Sequence, residues 1–307
     1  MSGLDEATRI EQAGDGLRAR IDPAWDIWGP CGGYLATIAL RAAGLAAPGH
    51  RPVALSCQYL SRASQGEVRV TADVVKPGSA ACVNVALEQN GQLFLQAQVW
   101  TTSKDQGPRA MAASMPDVPG PNELPDLEDL LNRHGQPILP FLKNFDCRPV
   151  DYRLVGDADP KGPQIERWQR YRDWTPTDDP FLDAGRSVIA IDTHIWMAHV
   201  RGLPAPADYV APSLDLSVWF HQPAAPAEWL LVAARSDVAL DGLIHGLVRV
   251  WTEDGRLAAT GGSQCLVLPL SPRRAGAPGQ SAFVPRDERP RAGPKAQEPA
   301  AAGGEAE

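Results

Sequence analysis

Asp215 stands in the run Ser213-Leu214-Asp215-Leu216-Ser217-Val218-Trp219-Phe220, which otherwise reads as a half-buried strand. A carboxylate in such a strand is costly unless it has a partner or a task. The task open to it is to orient or deprotonate a water. Repetition singles this acid out. Residues 52–102 read as strand, turn, strand, strand, an Asn90-Gly91 hairpin and strand, and residues 212–268 repeat that order with the hairpin at Asp254-Gly255. When Tyr59-Leu60 is laid on Trp219-Phe220, the first copy carries Leu55 where the second carries Asp215. One acid for two repeats predicts one working site per pair. The bland alternative is a carboxylate paired with an arginine.

The second constellation is Gly29-Pro30-Cys31-Gly32-Gly33-Tyr34, which opens an apolar helix. First-turn amides have no intrahelical partner and lie at the positive end of the helix dipole. Gly32 and Gly33 let a ligand approach that backbone, or else let another element pack closely on it. A thiol at this place can become a nucleophile, but Cys31 has no base near it in sequence, so a packed thiol is favoured. Asp192 and His194 are fainter candidates, and Asp192 could line a site or only make contacts along its helix. His221 follows Phe220 at a strand end, where a phosphate or ribose could meet it. A surface or satisfied histidine is the plainer reading.

These groups need a scaffold. The run Tyr34-Leu35-Ala36-Thr37-Ile38-Ala39-Leu40-Arg41-Ala42-Ala43 is apolar all round, and such a helix is normally buried. It should stop near Gly44. Strands are expected over 53–60, 67–75, 80–89 and 92–102. Val68, Val70, Ala72 and Val74 alternate with Arg69, Thr71 and Asp73, and Asn90-Gly91 is a strong hairpin signal. A long apolar helix followed by an antiparallel meander predicts a sheet wrapped around that helix. Residues 183–200 take the helix's place in the second copy, and strands over 212–221, 228–237, 242–252 and 256–268 follow. Residues 1–20 read as an extended or partly helical lead-in. The expected organisation is 1–110, first repeat; 111–149, a proline-punctuated linker with a helix only at 126–131; 150–270, second repeat; and 271–307, a disordered tail poor in bulky apolar residues.

The chain has 307 residues, 44% of them hydrophobic, so a full core is available. Net charge is −8, with no basic stripe, which argues against nucleic acid. The five cysteines show no CxxC and no zinc spacing, so no metal or cofactor is expected. Phosphate-loop, GxSxG and dinucleotide fingerprints are missing as well. The opening Met1-Ser2-Gly3-Leu4-Asp5-Glu6 is neither a signal peptide nor a span, which predicts a cytoplasmic protein.

The stretch Gly29–Ala36 resembles the start of the hotdog helix in TesB-like acyl-CoA thioesterases. The sequence Ser213–His221, then Glu228-Trp229-Leu230-Leu231, then Asp254-Gly255-Arg256-Leu257-Ala258-Ala259 resembles that family's C-terminal half. The similarity covers roughly residues 20–270. It implies an α+β double hotdog, with an apolar acyl-CoA as substrate and hydrolysis to free acid and CoA. A non-catalytic acyl-CoA-binding protein and a hydratase or dehydratase are the alternatives on the same fold. The family uses an Asp, a Thr or Ser and a Gln around one water. Asp215 is matched to the Asp. The hydroxyl position falls on Asp237, with Ser236 beside it. The Gln position falls on Ser263, or on Gln264 if one residue is inserted, and Gly261-Gly262 could absorb that slip as a bulge. The resemblance also places the developing oxyanion at the amides of Gly32, Gly33 and Tyr34. No nucleic acid and no membrane span are expected as partners, while further pairing into a homo-oligomer stays open.

Overall fold

The computed structural model describes residues 3–14, 16–154 and 159–270, and the expected tail at 271–307 lies outside them. In chain order the strands are β1 (Glu11–Ala13), β2 (Gly16–Ile21), β3 (Arg51–Tyr59), β4 (Gly66–Lys76), β5 (Ala80–Gln89), β6 (Gln92–Thr102), β7 (Phe145–Pro149), β8 (Gln164–Tyr171), β9 (Tyr209–Val210), β10 (Asp215–Phe220), β11 (Leu230–Leu240), β12 (Leu243–Thr252), β13 (Leu257–Leu266) and β14 (Leu268–Pro269). The helices are α1 (Leu4–Ala7), α2 (Gly32–Ala46), α3 (Leu127–Arg133) and α4 (Pro180–Arg201).

A 12-stranded sheet runs β1-β2-β4-β5-β6-β3-β10-β13-β12-β11-β8-β7. The order β4-β5-β6-β3 meets its mirror β10-β13-β12-β11 at the centre, which is the repeat read from the sequence. The seam is a continuous antiparallel ladder from Asp215↔Gln58 to Trp219↔Ala54. Both long helices lie against this sheet and against each other. Ten of the fifteen residues of α2 are buried, in line with its apolar pattern. The helices run antiparallel and close because their contact is stripped of side chains. A Cβ on Gly33 would stand 2.7 Å from the Ile189 Cα, and one on Gly185 would stand 2.5 Å from the Thr37 methyl.

Several elements extend beyond the sequence reading. Helix α2 passes Gly44 and ends at Ala46, and a Cβ on Gly44 would strike the Phe181 ring at 2.7 Å. The lead-in supplies β1 and β2, which prolong the sheet beyond β4. The segment expected as linker carries α3, started by an Asp126 side-chain cap, and an edge strand β7 paired with β8 from Phe145↔Tyr171 to Pro149↔Arg167. Helix α3 stands where a helix was expected at 126–131, and proline density hid only the edge strand β7. Gly261-Gly262 is not a bulge: its pairing with Val248 and Leu247 runs on in register.

Candidate active site

The polar side chains that meet near the α2 entry come from α4 and from the approach to β10. Asp192, partly exposed on α4, accepts a hydrogen bond from the Gly33 amide to Oδ2 at 2.7 Å and one from the Ser213 hydroxyl to Oδ1 at 2.9 Å. The Cys31 thiol points at Oδ2 from 3.7 Å. Burial pushes the Asp192 carboxyl above the ordinary aspartate range, against the lowering pull of these donors. Tyr59, at the end of β3, completes the ring. Its hydroxyl and Asp192 Oδ1 each lie 3.0 Å from the point where a Gly32 Cβ would stand. Among the described residues the buried Tyr59 hydroxyl meets no hydrogen-bond partner. The Tyr59 backbone amide donates to the Leu214 carbonyl at 3.0 Å, which ties β3 to the segment carrying Ser213.

A register change explains why Ser213 faces this site and Asp215 does not. Ser217 pairs with Gly262, and Ser213 bridges Cys265, so β10 contains one residue more than β13 over that span. This is a β-bulge, which turns one strand face over. Leu216 and Val218 point inward, while Asp215, Ser217 and Trp219 point to the outer side. The Asp215 carboxylate accepts the Gln264 amide at 2.7 Å, and the Ser263 hydroxyl donates to the Asp215 carbonyl at 2.7 Å.

The other expected residues separate. Gln264 pairs with His245 on the outer side, while Ser263 faces α4 with Gly246 and Gly261. Ser236 and Asp237 form the bulge in β11, where Ser236 donates to the His245 carbonyl at 3.1 Å and Asp237 pairs with Arg235 at 3.0 Å on the surface. Among the described residues, neither shares a hydrogen bond with Asp192, Asp215 or Gln264. Gly32 and Gly33 stand at the site, and Gly33 is required for helix packing besides. Tyr34 points into the core, where its hydroxyl donates to the Ala7 carbonyl at 2.7 Å and its ring stacks on Trp25. Burial drives the Cys31 thiol well above its usual range, Cys57 to about 12 and Cys265 to about 11, so none is an activated nucleophile.

A cleft of about 980 Å³ opens elsewhere, at the N-terminal end of α4 among Arg51, Arg109, Ser187 and His221. Among the described residues no cluster of three His, Cys, Asp or Glu could hold a metal, and no helix is long and apolar enough to cross a membrane.

A sheet wrapped around paired helices that meet between two like halves defines a double hotdog fold. Family models agree: residues 21–102 match the acyl-CoA thioesterase N-terminal domain and residues 112–267 match the C-terminal domain. The chain belongs to the acyl-CoA thioesterase family. It is similar to acyl-coenzyme A thioesterase 8 of Homo sapiens, 28% identical over 229 residues that cover 66% of this chain and 69% of that protein. In fold it is similar to the hot dog protein of Alicyclobacillus acidocaldarius, with a TM-score of 0.74, 22% identity and coverage of 86% and 97%. It is likewise similar to the acyl-CoA thioesterase II TesB2 of Mycobacterium marinum, with a TM-score of 0.70, 22% identity and coverage of 87% and 98%.

Proposed function

We propose that this acyl-CoA thioesterase hydrolyses its substrate with a water held by Asp192 and Ser213, and not by Asp215. The observation that carries the reading is the Asp192 carboxylate, held by Ser213 and Gly33 at the α2 entry and lifted in pKa by burial. A base poised nearer neutrality removes a proton more readily at working pH. Water bound to Asp192 and Ser213 attacks the thioester carbonyl carbon and gives its proton to Asp192. The carbonyl oxygen becomes negative where first-turn amides of α2 and the Tyr59 hydroxyl can donate to it. Collapse breaks the carbon–sulfur bond, and the CoA thiolate leaves with the proton returned from Asp192. Of the expected pair Asp215 and Gln264, the first is occupied with the second's backbone amide. Ser263 faces the helix side in its stead.

Free-CoA release from short, medium and long acyl-CoAs tests this, with Asp192→Asn measured beside the parent. Loss of turnover with acyl-CoA binding retained is the expected result. A binder without catalysis would release no CoA in either form. Full turnover in Asp192→Asn would remove Asp192 from the chemistry.

A further inference from the structure

The site at the α2 entry has a counterpart across the seam. Ser56 pairs with Ser217, and a half-turn about that pair lays β3 on β10, with buried Leu55 and Cys57 falling on buried Leu216 and Val218 and Tyr59 falling on Phe220. The helices obey the same half-turn. A Cβ on Gly33 would strike Ile189, four residues past Gly185, and a Cβ on Gly185 would strike Thr37, four residues past Gly33. Counted from these pairs, Pro52 stands for Ser213 and Leu40 for Asp192, so the counterpart holds neither the hydroxyl nor the carboxylate. Pro52 and Phe220 line the cleft of about 980 Å³ at the N-terminal end of α4. The cleft is the twin of the α2-entry site, open and without its base.

Its chemistry suits a different task. Pro52, Ala184, Phe220, Leu257 and Met111 give it apolar walls, and Arg51 and Arg109 bring two cations against Asp105. Asp183 is taken up by Arg186 and by the Ala224 and Ala225 amides, and His221 by the Thr260 hydroxyl. Arg51 reaches only the Lys104 carbonyl, at 3.4 Å, and neither arginine has an ion pair among the described residues. The end of α4 is itself closed, since Asp179 caps the Phe181 and Leu182 amides. One buried group is left over. Ser187 lines the cleft and is 2% exposed. Thr37 and Thr193 bond back to carbonyls one turn earlier in their helices, at 2.8 and 2.9 Å. The Ser187 hydroxyl meets no hydrogen-bond partner among the described residues. A buried hydroxyl is costly unless something supplies a partner. Apolar walls with a few polar groups among them are the makings of a small-molecule site.

We propose that this cleft binds an amphipathic carboxylic acid, with its chain on Phe220, Leu257 and Met111, its carboxylate beside Arg51 and Arg109, and a hydrogen bond donated to it by Ser187. A guanidinium matches a carboxylate in charge and geometry, and gains little from a neutral head. Hydrolysis of an acyl-CoA releases an acid of this class, so the enzyme carries a second place for its product, apart from Asp192. The wall formed by residues 105–113 has no regular structure, and the Gln222 side-chain amide ties it across to the Met111 sulfur at 3.8 Å. That weak contact is one an entering chain can replace. Binding there stands whichever residue serves as base.

Calorimetric titration with straight-chain fatty acids of graded length, and with the alcohols of equal length beside them, tests this on the parent, on the double variant Arg51→Gln/Arg109→Gln and on Asp192→Asn. The parent should bind one or more of the acids, and about tenfold more tightly than the matching alcohols. The double variant should lose that preference and keep its kcat and KM for acyl-CoA, measured before product accumulates. Ser187→Ala should weaken acid binding by about tenfold as well. Asp192→Asn should bind the acid as the parent does. Loss of acid binding in Asp192→Asn alone would place the acid at the α2 entry and overturn the proposal. Absence of binding by every acid, or undiminished acid binding in the double variant, also overturns it. The alcohol comparison and Ser187→Ala keep the test intact where the double variant does not fold. Full turnover by Asp192→Asn with acid binding unchanged would overturn the choice of base and leave the cleft standing.

Discussion

The two halves share a scaffold but differ in the polar groups they bury. Before residue 140, the buried polar side chains are threonines: Thr8, Thr37, Thr101 and Thr102. After it come Arg167, Gln169, Asp183, Arg186, His194 and His199, most of them on α4 or the strands around it. The first helix gives the site its backbone: the Gly33 amide, the neighbouring first-turn amides and the space left by two glycines. The second gives it side chains. The difference shows what duplication allows. One copy can stay dry and carry stability while the other takes on costly polar groups, because both close around a common core.

The largest test of this division is Asp192→Asn against Asp215→Asn. Removal of a positioned base costs about 10²- to 10⁴-fold in rate, and Asp192→Asn should fall in that range. Asp215→Asn should keep most turnover and lose stability, on the order of 1–3 kcal/mol, because the Gln264 amide at the bulge loses a charged acceptor. Parallel kinetics and melting curves read both, and a reversed ranking would return the chemistry to the strand. Gly33→Ala ranks next. Its Cβ, only 2.7 Å from the Ile189 Cα, must push the helices apart, for roughly 1–3 kcal/mol of overpacking, and a depressed melting temperature checks it. The smallest effect concerns Cys31. Its thiol is held protonated by burial first and by Asp192 second, so alkylation in the folded protein should be slow at neutral pH and should speed up on unfolding. Rapid labelling with loss of activity would mean that the α2 entry contributes a nucleophile as well as backbone.

The repeat, both hairpins and the apolar helix could be read from the sequence because each leaves a local signal: a period, a turn dipeptide or an uninterrupted apolar run. The site was only partly legible. Gly32 and Gly33 were marked by their place at a helix start. Asp192 was visible only as a faint candidate, since a lone acid in a helix does not announce that it faces a second helix from the other repeat. Ser213 and Tyr59 were missed. Strand alternation puts residues 213, 215 and 217 on one face, and only the bulge in β10 separates Ser213 from the other two.

The seam between β3 and β10 also bears on how the chain comes to be folded. As synthesis proceeds, β3 is finished long before β10 exists, and the bare flank of α2 is finished before α4. Through that interval the nascent first half presents an unpaired strand edge and an apolar helix surface together, the combination most open to wrong partners. The stretch that ends the interval, from β10 onward, also holds Ser213 at its threshold. Pairing of β10 with β3 closes the seam, so a chain stalled before that point keeps its strand edge unprotected.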